Sequence, residues 1–250
     1  MCTMKRPIFE PVFRGFLLYA SIHNEMETNM LTPERRDALL KLSTPLVVDA
    51  MDRLGLPERV LDPAIRPVFP FTKMLGTAVT VLLKPQPDPA KANLALYSQA
   101  FESGQEVYCP IMVVEVPKMH HHQGIFGEGA ATMGLQNGFV GALIDGAVRD
   151  TPDLHRMNFP AFSRTIAPGY ICGKVEAVSS GEPVRIGGVT IIAGAILFGD
   201  NDGVVVMDPT HLDAVIGKAQ AIQRWEHVVH RAISEGCSSE EIQKKAGPMP

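Results

Sequence analysis

The chain has 250 residues, 46% of them hydrophobic, enough for one large domain or two small ones with a sizeable core, and this argues against disorder of the bulk. The formal net charge of −4 leaves no electrostatic footprint for nucleic acid, so anionic partners must be met by local arginines. No segment approaches the ~20 continuous apolar residues of a membrane-spanning helix, and Cys2, Cys109, Cys172 and Cys237 show no CxxC or comparable metal spacing.

Lys5 and Arg6 precede an apolar patch over 12–20, which Arg14 interrupts and no clean small-residue cleavage site follows. Residues 1–30 therefore read as a loosely attached extension, or as a stretch upstream of the true start with Met26 and Met30 as alternative starts. Cys109 and Cys172 lie in apolar stretches and read as buried thiols, which together with the missing secretion signal favours a reducing, cytoplasmic setting.

Thr32-Pro33-Glu34 opens a helix over 33–42. Ser43-Thr44-Pro45 caps a second, in which Val47, Val48, Met51 and Leu54 recur at helical spacing up to Gly55. After a proline-rich loop over 57–70, β-branched residues predict a strand over 77–83; the prolines of 85–89 end it, and 90–103 fit a helix. Next come a strand over 111–116, a loop over 117–125 containing His120, His121 and His122, a helix over 127–136, and strands over 139–144 and 160–166. From 173 to 207 short β runs are broken by Gly181-Glu182-Pro183, Gly187-Gly188 and residues 199–203, which is hairpin chemistry. Pro209-Thr210 then opens a long helix to about Glu235, ending at Gly236, and the polar tail after Ser238 is expected to fray. Strand–helix units, a β-meander and a closing helix imply one α/β domain with mixed sheets over 31–236, between the extension 1–30 and a C-terminal tail 237–250.

The run that starts at Gly141 breaks at Asp145-Gly146 and delivers Arg149 beside Asp150, with Thr151 and Pro152 reading as the cap and first position of a helix. A strand end followed by a turn is a usual place for chemistry in sheet proteins. The arginine fork matches a carboxylate or an oxo acid, and Asp150 offers hard oxygen for Mg²⁺ or Mn²⁺; the pair equally fits a surface ion pair at a helix start. Gly127-Glu128-Gly129-Ala130 stands where a helix begins. Its unpaired N–H groups make a ready carboxylate site, although a glycine-rich helix start that merely packs closely looks the same.

Other chemistry finds less support. Thr132 occupies the place of the third glycine in a dinucleotide fingerprint. Asp200-Asn201-Asp202 fits a tight turn better than a cation site. The three histidines fit a solvated loop, one of whose imidazoles can meet substrate. There is no GxSxG elbow and no Walker loop, and nothing near Lys84 suggests the lowered pKa that a Schiff-base lysine needs.

Gly127-Glu128, the spaced Gly138 and Gly141, Asp145-Gly146 and Arg149-Asp150 together resemble the signature of the RraA-like family. That family includes the class II 4-hydroxy-4-methyl-2-oxoglutarate aldolases, also called 4-carboxy-4-hydroxy-2-oxoadipate aldolases. Residues 42–55 resemble its N-terminal helix, 75–81 its first strand and 202–206 its late strand, so the likeness spans roughly 33–236.

The resemblance implies a swivelling β/β/α fold with N-terminal helices and a long C-terminal helix, assembled as homotrimers or hexamers with active sites at subunit interfaces. It implies Mg²⁺ or Mn²⁺ held by Asp150, partly through waters that Glu128 helps to hold. Arg149 and the glycine turn (Gly127, Gly129, Ala130) then bind the pyruvyl group, and an acid from a neighbouring subunit, best matched by Glu226, completes the site. The implied reaction is cleavage of a 4-hydroxy-2-oxo acid to pyruvate and a carbonyl product, with oxaloacetate decarboxylation as a side activity. The implied partner is a small oxo acid, with neither nucleic acid nor membrane. The alternative is a non-catalytic regulator that binds an RNA-degrading nuclease. A methyltransferase reading, also attached to the family, lacks a glycine-rich cofactor loop over 81–85. The 118–123 histidine loop and Trp225 beside Glu226 depart from the family pattern.

Overall fold

The computed structural model describes residues 30–250, and the expected N-terminal extension lies outside the described residues except for Met30. In chain order the elements are α1 (Pro33–Leu40), α2 (Thr44–Arg53), β1 (Arg66–Pro67), β2 (Met74–Pro85), α3 (Ala95–Ser103), β3 (Pro110–Glu115), β4 (Gly124–Phe126), α4 (Glu128–Gln136), β5 (Gly141–Val148), α5 (Thr151–Arg156), β6 (Ala161–Ile166), β7 (Val175–Ser180), β8 (Val184–Ile186), β9 (Val189–Ile191), β10 (Ile196–Asp200), β11 (Gly203–Met207), α6 (Leu212–Ser234) and α7 (Ser239–Ala246).

One mixed sheet organises them, in the order β1-β6-β5-β3-β2-β10-β11. The central four, β6, β5, β3 and β2, run parallel. Of these, β5, β3 and β2 are nearly all apolar along their buried length, as strands covered on both faces must be. The long β2 serves two antiparallel partners along one edge: 74–77 pair with β10 and 81–85 with β7. The ends of the sheet return toward each other, β1 against β11. Arg66 Nη1 donates to the carbonyls of Asn201 (3.2 Å) and Asp202 (2.7 Å) across that gap, so the sheet is nearly closed. No helix among the described residues is long and apolar enough to cross a membrane.

Two apolar clusters flank the strands on the helical sides. One joins α3, α4 and α5 to β2, β3 and β5 through Phe101, Phe126, Phe139 and Phe159. The other joins α1, α2 and α6 to β10 and β11 through Leu39, Val47, Phe198 and Ile222. A third lies under the β8–β9 hairpin.

Several sequence expectations change. The strand over 139–144 does not break at Asp145-Gly146; β5 continues to Val148, fully buried. The dipeptide is instead an irregularity in register, with Ile144 opposite Ser163 but Ala147 opposite Thr165. Asp145 stays inside because Arg164 pairs with it. The cap of α5 is Asp150, one residue earlier than Thr151, in a left-handed conformation (φ 53°) that a short polar side chain tolerates. Ser43 holds the cap position of α2 but makes no side-chain bond there. Asp200 does that work from across the chain, accepting from Thr44 N (2.8 Å) and Thr44 Oγ1 (2.6 Å). The helix over 90–103 begins only at Ala95, whose N–H donates to Asn93 Oδ1 (2.8 Å). Cys109 and Cys172, expected to be buried, are half-buried thiols.

The residues after Ser238, expected to fray, form the capped helix α7. Ser238 and Glu241 make a reciprocal capping box, and Trp225 Nε1 donates to the Gly247 carbonyl (3.0 Å). Trp225 thus holds the C-terminal segment onto α6.

Candidate active site

Two parallel strand ends bring the chemistry together. The short β4 pairs with the end of β5, Gly124 beside Ala147 and Phe126 beside Val148. The chain leaving β4 turns at Gly127 into α4; the chain leaving β5 turns at Arg149-Asp150 into α5. Arg149 N donates to the Phe126 carbonyl (2.9 Å), so the turns are clasped by backbone. Beneath them lie Phe126, Ala131, Val148 and Leu154, all fully buried, which makes the platform rigid.

Asp150 points its carboxylate at the other turn rather than at its own helix. Oδ2 accepts the Glu128 N–H at 3.2 Å and lies 3.5 Å from Arg149 Nε. Oδ1 has no hydrogen-bond partner among the described residues. Glycine at 127 leaves room for this arrangement: a Cβ there would lie 2.4 Å from Asp150 Oδ2 and 3.0 Å from Arg149 Cγ, and the carboxylate would have to move. The next N–H groups of α4, on Gly129 and Ala130, have no acceptor among the described residues and remain open at the positive end of the helix dipole.

Arg149 and Asp150 are each about a third exposed, at 35% and 38% of the side chain. That suits groups that must hold their geometry and still meet a small solute. The Arg149 guanidinium carbon sits 4.7 Å from the centre of the Tyr170 ring. The neighbouring Cys172 thiol raises the Tyr170 phenol above its ordinary value, with desolvation adding and Arg149 opposing. The Glu128 side chain turns toward α5, where Arg156 Nη2 meets Oε1 at 3.3 Å while Nη1 holds Asp153 at 2.6 Å.

The fold therefore gathers Gly127, Glu128, Gly129, Ala130, Arg149 and Asp150. It does not bring Glu226 to them within one chain: Glu226 lies on α6, which packs on α1, α2 and α7 around a different core. His121 Nε2 is bonded to the Val116 carbonyl (3.0 Å) and His120 Nδ1 to Gln123 Oε1 (2.9 Å), so both are tied within their own loop; His122 is exposed. Residues 199–203 form the β10–β11 turn. Tyr170 and Arg156 were missed by the sequence reading. Tyr170 follows a Pro168-Gly169 turn signal that says nothing of Arg149, and Arg156 has only its helical spacing to Asp153.

Among the described residues no group of three or more His, Cys, Asp or Glu converges as a metal cage. The hard donors near the turn are the Asp150 carboxylate, with an unshared oxygen, and the Glu128 carboxylate, which Arg156 holds toward α5. That set suits a dication that keeps most of its waters and binds through one or two carboxylates, the habit of Mg²⁺, rather than a histidine- or thiolate-bound metal.

A nearly closed mixed sheet with N-terminal helices, a long C-terminal helix and an Arg-Asp turn facing a glycine helix start defines a recognisable class. The model of the RraA-like family, described as Aldolase/RraA, matches residues 44–206, and the chain belongs to that family. Among its relatives, a protein of Halalkalibacterium halodurans named "Putative 4-hydroxy-4-methyl-2-oxoglutarate aldolase" is 30% identical over 196 residues, covering 78% of this chain and 86% of that protein. Protein DlpA of Legionella pneumophila subsp. pneumophila is 27% identical over 220 residues, 85% of this chain; the chain spans only 34% of DlpA. In fold, the chain is similar to Streptomyces coelicolor RraAS2, an unusual member of the RNase ES inhibitor RraA protein family (TM-score 0.69, 21% identity, 79% of this chain and 96% of that one).

Proposed function

We propose that this protein is a divalent-metal-dependent aldolase that cleaves a 4-hydroxy-2-oxo acid to pyruvate and a second carbonyl compound. The observation that carries the proposal is the Arg149–Asp150 pair, 3.5 Å apart and turned together onto the Gly127 helix start. Its similarity to a relative named for the same chemistry supports it.

Cleaving the bond between C3 and C4 leaves an electron pair beside the ketone, which must move onto the ketone oxygen. A site for that step needs positive charge fixed in advance at the oxygen. Mg²⁺ or Mn²⁺, held by Asp150 and through water by Glu128, supplies electrophilic charge when bound. Arg149 adds a second cation: neither Nη has a hydrogen-bond partner among the described residues, so its fork is open to the oxo-acid carboxylate. The Gly129 and Ala130 N–H groups offer further donors to the same anion. The C4 hydroxyl proton must leave as the bond breaks; in this reading a water takes it, oriented by Glu128, which Arg156 meets at 3.3 Å, or by Glu226. Glu226 of the partner subunit is the second acid in the proposed assembly, a homotrimer or hexamer. Lys84, exposed at the end of β2, lacks the desolvation that a Schiff-base route demands.

The decisive measurement is pyruvate release from a panel of 4-hydroxy-2-oxo acids and oxaloacetate with Mg²⁺, Mn²⁺ or chelator. Metal-dependent turnover that Arg149→Ala removes is the expected result. Turnover untouched by Arg149→Ala would end this assignment. No turnover together with capture of an RNA-degrading nuclease would favour the regulator reading.

A further inference from the structure

We propose that Tyr170 is a positioning residue for Arg149: its ring covers one face of the guanidinium, so that a substrate carboxylate meets only the outward edge of the fork. The inference rests on the reading of Arg149 as the oxo-acid-binding group.

Three contacts hold the arginine. Its stem runs along a trough floored by two glycines: a Cβ at Gly124 would sit 3.3 Å from Arg149 Cβ, Cγ and Cδ, and one at Gly127 would sit 3.0 Å from Cγ. Nε is drawn to Asp150 Oδ2 at 3.5 Å. The planar end lies 4.7 Å from the Tyr170 ring centre. Stem and Nε are thereby occupied, the guanidinium carbon lies over the ring, and the two Nη atoms are left for a ligand.

The ring is itself placed by the strand that floors the trough. Gly124 N donates to the Gly169 carbonyl (2.7 Å), and Gly124 and Tyr170 form a parallel bridge. Lys174 Nζ donates to the Tyr170 carbonyl (3.1 Å). The side chain, by contrast, is 53% exposed and absent from the core clusters, so packing of the fold does not explain an aromatic residue there. Stacking on the electron-rich ring face attracts the cation and removes rotamer freedom that carboxylate binding would otherwise have to freeze.

The test uses the full chain with Mg²⁺ and titrates pyruvate by calorimetry into wild type, Tyr170→Phe, Tyr170→Leu and Arg149→Ala. Tyr170→Phe keeps the ring and is expected to bind within about two-fold of wild type; Tyr170→Leu is expected to bind about five-fold more weakly. In turnover, the Leu variant should raise KM and leave kcat near wild type. Leu binding like wild type while Arg149→Ala loses pyruvate would overturn the role of Tyr170 and spare the site. Phe losing as much as Leu would also overturn it, since the hydroxyl rather than the ring would then matter. Wild type that takes no pyruvate sinks both readings.

Discussion

At the residue scale, Asp150 carries an unusual combination: left-handed backbone and a carboxylate committed to a neighbouring turn. The two features separate by substitution. Asn tolerates the same backbone but has no charge, so Asp150→Asn should melt within a few degrees of wild type yet lose metal-supported pyruvate release. Asp150→Ala should lose activity and also about 1 kcal/mol of stability from the strained backbone; an active Asp150→Asn enzyme would remove this carboxylate from the mechanism. Gly127→Ala tests the same geometry from the other side. The methyl group must push the Asp150 carboxylate away from the Glu128 N–H, so activity should fall at least about ten-fold, the equivalent of one charge-assisted hydrogen bond. A Gly127→Ala enzyme with wild-type turnover would show that this contact is dispensable. Sequence alone singles out Gly127, Arg149 and Asp150, as a glycine at a helix start and an arginine-aspartate pair at a strand end, and the fold brings the three side by side. The sequence is silent on Tyr170, whose relation to Arg149 exists only once β4 has been laid beside β5.

At the element scale, the acidic β10–β11 turn proves structural. Asp200 is buried and holds both Thr44 donors at the start of α2, as well as Asp202 N (2.9 Å) in its own turn. Asp200→Ala strands buried donors, at a cost of about 2–3 kcal/mol, which for a chain of this size lowers Tm by roughly 4–12 °C. Thermal melts that coincide with wild type would refute this link. The bond between α1 and α6 is of another kind. Arg35 Nε and Nη2 grip Asp213 at 2.8 and 2.6 Å and hold its carboxyl below the ordinary value. A carboxyl depressed in the folded state stabilises above its unfolded pKa, about 4, and that contribution is lost as pH falls through the lower folded value. Asp213 is largely exposed, so the effect is at most about 1 kcal/mol. In urea melts, wild type should exceed Asp213→Asn at pH 7, and the gap should begin to close below about pH 4; a gap constant with pH would assign the difference to something other than ionisation. The element boundaries show the same division of labour. The polar residues after Ser238 read as a fraying tail, yet they form α7, capped by Ser238 and Glu241 and docked by the Lys245–Glu235 pair and the Trp225–Gly247 contact, the latter announced by no local pattern.

At the scale of the whole molecule, the fold puts the residues proposed for catalysis on two different helical layers. Arg149 and Asp150 rise from the core under α4 and α5, whereas Glu226 rides on α6 over the core of α1 and α2. If the working unit is a homotrimer or hexamer, each site draws Glu226 from the partner subunit. Light scattering should then give a mass that is a multiple of three times 27.2 kDa. A mixture of inactive Arg149→Ala and inactive Glu226→Ala chains, refolded together, should regain activity that neither has alone. A monomeric, active protein, or no recovery in the mixture, would remove Glu226 from the site.

Local sequence determined most of the elements of this protein. Apolar β-branched runs set the strands, turn residues set the hairpins, and a strand-end arginine and aspartate opposite a glycine helix start marked the turn where chemistry is proposed. Those are properties of neighbours along the chain, governed by side-chain period and backbone sterics. The tertiary structure decided the rest. It kept β5 running through Asp145 because Arg164 waits on β6, took the cap of α2 from Asp200, docked the tail through Trp225, and set Tyr170 on the face of Arg149. Each of those is a contact between residues at least 19 positions apart, and a contact of that kind appears only when burial of the sheet faces has brought distant segments together.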